Sequence, residues 1–197
     1  MTFKELFIKE IEKINNKNLK QACLNMVIDI PEYFWIVPAS SSGKYHPECD
    51  LGEGGLVRHS LMVCNVGMDL VTCEMFVRDN DYNRDLVRVA TLFHDVIKHG
   101  KVNMDDNTYS SHTVFEHPNL GADFVREHLV SNNVDELYIE MICGAIRTHM
   151  GKWVTSKYSD VALAKPRTDF EKLVHLADYV ASRKYIQALD SWKDITN

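Results

Sequence analysis

Six side chains of two metal-ligating types stand along this sequence: His59, His94, Asp95, His117, His149 and Asp178. Their order is H, HD, H, H, D, with offsets of 35, 23, 32 and 29 positions from the first residue of each group to the next. Imidazole nitrogen and carboxylate oxygen are good ligands for a divalent transition metal. His59 starts a helical-spacing stripe continued by Val63, Val66 and Leu70. His94 joins Val87 and Ala90, with Asp95 beside it. His149 extends Ile142, Ala145 and Ile146, and Asp178 shares a face with Val174, Ala177 and Ala181. His117 stands near a helix start, just before Pro118.

A blander alternative exists for each residue taken alone. A single buried histidine is more often a hydrogen-bonded core residue than a ligand. An inward aspartate is usually a cap or an ion-pair partner, although Asp178 falls mid-helix, where no cap is needed. Taken together, two carboxylates without cations would cost several kcal/mol each to bury. A divalent metal offsets that cost, and helical bundles build metal sites from ligands on facing helices.

The elements that must position these groups read as helices. Phe3, Leu6, Phe7, Ile11 and Ile14 recur at helical spacing. A second helix is expected from Leu19 to Ile30, stopping at Pro31. Further helices are expected over Leu56–Phe76, Arg84 to about Lys98, Thr113–Val130, Val134–Met150 and Asp169 to about Leu189. Two long irregular stretches interrupt them, VPASSSGKYHPECDLGEGG and GKWVTSKYSDVALAKPRT. Their length marks them as candidates for function rather than simple connection. No repeat and no alternating strand pattern is present, so the expected fold is all-α, a bundle of roughly seven helices with two long loops near the site.

The totals agree with one domain over 1–197, with residues 1–41 leading into a core over 42–185. A net charge of −6 argues against an extended duplex nucleic-acid interface, while leaving room for a small basic pocket. The charged N-terminus lacks the pattern of a signal peptide, and no apolar run is long enough to span a bilayer. Five cysteines without a CxxC pair read as reduced thiols, so the expected location is cytoplasmic.

The ordered series resembles the HD-domain superfamily of metal-dependent phosphohydrolases. The matching segments are GGLVRHSLMV, LFHDVIKHGK, EHPNLGADFV, AIRTHMGKW and LVHLADYVASRK. The resemblance looks nearest to HD domains attached to certain bacterial 3′→5′ exoribonucleases and to stand-alone HD hydrolases. It implies that His59, His94, Asp95 and Asp178 are the common metal ligands. It also implies that His117 and His149 complete a second metal position, with Asp95 shared. Lys98 matches the lysine of an HDxxK continuation. The sequence departs from the family pattern in having Ile97 where glycine is frequent and Met150 after His149 where a second histidine is frequent. The GYP motif of cyclic-di-GMP phosphodiesterases is absent.

The expected activity is hydrolysis of a nucleotide or nucleic-acid-like phosphate ester by a metal-activated hydroxide, with one or two of Mn, Fe, Co, Ni or Zn as cofactor. The partner would be a mononucleotide or an oligonucleotide end. Asp95 and Lys98 are the expected catalytic residues, Lys98 holding a phosphate oxygen as a point charge. The alternative for Lys98 is a solvated helix-end lysine. Arg58 and Arg183 are candidate phosphate contacts, and Lys44, Tyr45 and His46 could line the pocket mouth. His99, His112, His128 and His175 fall outside the pattern and read as surface or half-buried residues. Two other classes carry the same ligand series: a di-iron oxygenase of this fold, and a binding module with a structural metal. Substrate identity and oligomeric state are left open.

Overall fold

A computed structural model describes residues 2–40, 42–103, 105 and 108–185. These residues form eight α-helices and no strand beyond two isolated bridges. In chain order the helices are α1 (Phe3–Glu12), α2 (Lys17–Asp29), α3 (Tyr33–Ile36), α4 (Gly55–Thr72), α5 (Asp81–Phe93), α6 (His117–Ser131), α7 (Glu136–Thr148) and α8 (Asp169–Ala181).

Local chemistry explains most of the boundaries. Thr2 and Glu5 close a capping box on α1, and Thr168 and Glu171 close another on α8. Asn80 accepts from the amide of Asn83 and starts α5 earlier than the apolar stripe alone suggests. Helix α6 starts at His117 because Pro118 is tolerated only in the first turn, where its missing N–H costs nothing. Helix α3 is a single turn after Pro31, too short to show a period. It nonetheless buries Tyr33, Phe34 and Trp35. The expected extension of the last helix to Leu189 runs beyond the described residues, within which α8 ends at Ala181.

The central helix α4 buries eleven of its residues and packs against α5 and α8. Helix α7 packs against α5, α6 and α8. The four helices α4, α5, α7 and α8 therefore surround one interior, with α6 against α7. Phe7 anchors α1 on this bundle through edge-to-face contacts with Phe34, Trp35 and Phe93.

Two of the ligand helices end earlier than their stripes suggest. Helix α5 stops at Phe93, and the chain tightens into turns in which Val96 N–H donates to Phe93 O, Lys98 N–H to Asp95 O, and Gly100 N–H to Ile97 O. Helix α7 stops at Thr148. His94 and His149 are thus helix C-caps rather than mid-helix residues. Both long loops border the interior at this end of the bundle. The first is held against α4 at Gly55, where a Cβ would lie 2.0 Å from the Asp50 carbonyl oxygen. The second begins at Gly151, whose φ of +64° and close approach to His175 both exclude a side chain.

Candidate metal centre

Position at a helix end sets the tautomer of the histidines. The last carbonyls of a helix lack amide donors. His94 Nδ1 donates to Thr91 O at 2.7 Å, and His149 Nδ1 donates to Ile146 O at 2.8 Å. His117 repeats the pattern one turn ahead of α6, with Nδ1 donating to Val114 O at 2.7 Å. A carbonyl can only accept, so the proton sits on Nδ1 in all three and the Nε2 lone pair is left free.

All three Nε2 atoms turn toward Asp95, and the carboxylate divides them. Asp95 Oδ1 lies 3.0 Å from His117 Nε2 and 3.5 Å from His149 Nε2. Asp95 Oδ2 lies 3.3 Å from His94 Nε2 and 3.9 Å from His59 Nε2. Asp178 Oδ1 joins the second group, 3.0 Å from His59 Nε2 and 3.8 Å from His94 Nε2. His117 Nε2 and His149 Nε2 are only 3.2 Å apart. Lone pairs facing lone pairs at these distances repel unless a proton or a metal cation lies between them. His94 Nε2 and Asp95 Oδ1 are buried and have no hydrogen-bond partner of acceptable geometry. That orphaned pair of acceptors, amid mixed nitrogen and oxygen donors, fits a transition metal. The groups that could hold an ion include His59–His94–Asp95, Asp95–His117–His149 and His94–His149–Asp178.

Protons stand in for cations in the metal-free chain. Burial opposes charge on His59, but the Asp178 and Asp50 carboxylates raise its pKa to about 9. Burial would also raise the Asp95 carboxyl; the Lys98 charge, His94, and the close approach of the His117 and His149 imidazoles outweigh it and hold it well below the usual range. The Asp178 carboxyl is likewise lowered against burial, chiefly by its hydrogen bond with His59 and by the nearby imidazoles. Protonated His59 therefore stabilises the metal-free fold fully below pH 6.5, and that contribution is lost as pH rises through about 9. A metal must displace this proton. Titration calorimetry at pH 7 in buffers of different ionisation heat should show about one proton released, with apparent affinity rising ~10-fold per pH unit. Heats and affinities independent of buffer and pH would contradict the protonated resting site.

The other residues expected at the site divide into two groups. Lys98 is buried, 8% exposed, and its ammonium lies 2.5 Å from Asp95 Oδ2, so it is not a solvated helix-end lysine. Tyr45, His46, Asp95, Lys98, Arg183 and the ligands His117, His149 and Asp178 line a cavity of about 500 Å³. That volume suits a small ligand. Thr113, Met150, Trp153 and Ser182 complete its wall. Arg58 is not brought to the cavity. Its guanidinium donates to Cys49 O and Leu51 O and lies over the Phe3 ring, so it pins the first loop to α4. Lys44 is exposed, with its ammonium 5.1 Å from the centre of the Tyr45 ring.

Asp50 was not among the expected residues. It is buried in the first loop, with Oδ2 3.3 Å from His59 Nδ1 and 3.5 Å from His46 Nδ1. It thereby favours the proton on His59 Nδ1 and turns Nε2 inward. No stripe signals it, because it sits in irregular backbone. One of the supposedly incidental histidines needs correction: His99 is buried, its Nδ1 donating to Ser110 O. His175 is half-buried, as expected, and its Nδ1 donates to the carbonyl of His149 at 2.7 Å.

A family model described as HD domain matches residues 56–183. The chain belongs to the HD-domain family. No curated protein and no solved structure matches it. HD domains are generally metal-dependent hydrolases, and the match spans all six candidate ligand positions. Among the described residues no helix is long and apolar enough to cross a membrane.

Proposed function

We propose that this HD domain is a phosphohydrolase with two divalent metals, acting on a nucleotide or nucleic-acid-like phosphate ester. The observation that carries the reading is the division of Asp95, one oxygen toward His117 and His149 and the other toward His59 and His94. One metal would be held by His59, His94, Asp95 and Asp178, the other by His117, His149 and Asp95. When bound, such cations supply Lewis acidity, which polarises a phosphate ester and makes water nucleophilic at neutral pH. Mn, Fe, Co, Ni and Zn all suit the donor set.

The chain's own groups do the rest. The three Nδ1–H bonds to backbone carbonyls hold the imidazoles so that little reorganisation accompanies loading. Lys98 and Arg183 place two cations on the cavity wall, where an incoming phosphate would otherwise meet the Asp95 and Asp178 carboxylates. Tyr45 and His46 bring the first loop to the mouth. The whole chain, 1–197, is read as one cytoplasmic domain.

A panel of mononucleotides, cyclic dinucleotides, short RNA and short DNA, assayed without O₂ and with each of the five metals in turn, tests this. Release of phosphate or of a nucleotide is expected with at least one metal. Oxygen uptake by the iron-loaded chain in a parallel aerobic assay, with no hydrolysis in the panel, would point to an oxygenase. Tight metal binding with no turnover on any ester would point to a binding module.

A further inference from the structure

We propose that Trp153, Tyr179 and Arg183 form a stacking platform at the cavity mouth that holds the nucleobase of the substrate. The proposal rests on the phosphohydrolase reading for the identity of the scissile phosphate, and on separate observations for the base. Trp153 is 44% exposed and Tyr179 37% exposed, yet their rings stack at 6.0 Å and 17°. The Arg183 guanidinium lies 4.1 Å from the centre of the Tyr179 ring. It is fixed there by donating from Nε to Tyr179 O and from Nη2 to Ser182 Oγ. Trp153 and Arg183 both line the cavity that contains the ligands.

The platform is tied to the metal centre. Trp153 N–H donates to Met150 O in the turn that follows His149. His175, whose Nδ1 donates to His149 O, meets the Trp153 ring edge-on at 6.4 Å. A side chain at Gly151 would strike the His175 ring, so the turn is packed rather than loose. An exposed, rigidly supported aromatic pair with a cation at its end is what a π-faced ligand beside a phosphate requires. The exposed Lys152 ammonium lies over the outer ring, 5.1 Å from the Trp153 centre. A base stacks on an aromatic face more strongly than an exposed ammonium does, so it would displace Lys152 and leave that charge for a phosphate. A sugar phosphate without a base would gain nothing from the Trp153 and Tyr179 rings.

Binding to the full chain is read by tryptophan fluorescence in the presence of chelator, so that turnover is off. The probes are adenosine 5′-monophosphate, pentathymidylate and ribose 5-phosphate. Trp35 is buried and Trp192 lies outside the described residues; both remain in Trp153→Phe, so the quench that this variant loses is the one Trp153 reports. By calorimetry, Trp153→Ala should weaken both base-bearing probes ~10-fold or more, while Trp153→Phe stays within about 3-fold of the parent. Comparing the mononucleotide with the oligonucleotide shows which source of base the platform prefers. Ribose 5-phosphate binding as tightly as adenosine 5′-monophosphate, or Trp153→Ala binding like the parent, would overturn the platform. Hydrolysis by the metal-loaded chain separates the two readings. Equal turnover of base-free and base-bearing esters removes the platform and keeps the hydrolase. Base-dependent quenching with no turnover of any ester removes the hydrolase and keeps the platform.

Discussion

Asp95→Asn is expected to abolish turnover, by ~10³-fold or more, and to strip the protein of bound metal. The substitution keeps the shape of the side chain and removes its charge. Each oxygen of Asp95 now faces two imidazoles, and an amide offers a single weak acceptor in place of both. Asp178 does not take its place: it is grouped with His94 and His149 and lies 3.0 Å from His59, but none of the groups that could hold an ion joins it to His117. The more drastic Asp95→Ala leaves the buried Lys98 ammonium without its ion-pair partner and is expected to destabilise the metal-free fold by about 3 kcal/mol. The two variants therefore separate loss of function from loss of fold. Metal content by mass spectrometry and turnover of the best substrate, measured on both, check this. Retention of activity in Asp95→Asn would remove Asp95 from the chemistry.

Lys98→Met is expected to keep both metals and to lower kcat/KM ~10²-fold, chiefly in kcat. Methionine fills the same space without the charge. The ammonium sits on the cavity wall against Asp95, where negative charge on a reacting phosphate would gather. Removing a preorganised cation from such a place costs most in the transition state. Lys98→Arg should recover part of the loss. A variant with normal kinetics would leave Lys98 as a counter-ion of Asp95 and nothing more.

The cluster of candidate ligands was legible because helical periodicity places His59 and Asp178 on apolar faces, where a polar group needs a reason to be. For His94 and His149 the stripe pointed to the right neighbourhood but the wrong local setting. They cap helices, and the free carbonyls at those ends fix the Nδ1 proton, which periodicity cannot show. His117 carries no stripe at all and was legible only through the family pattern and the helix start before Pro118. The rest of the site lies in irregular backbone. Asp50 and Trp153 come from the two long loops, whose paths depend on single close approaches at Gly55 and Gly151. Arg58 adjoins a ligand in sequence, but a helix turns its side chain about 100° away from that of His59, toward the loop carbonyls it holds. Helix α3 was missed because one turn has no period, although its three aromatic residues are core.

The most direct measurement is the number of metals held by the parent chain and by His117→Ala, each loaded with excess Mn or Co and then freed of unbound ion. Two equivalents in the parent and one in the variant is the expected result, since His117 touches only the Oδ1 side of Asp95 while His59, His94 and Asp178 keep the other side complete. One equivalent in the parent, or two in His117→Ala, would contradict a pair of metals sharing Asp95.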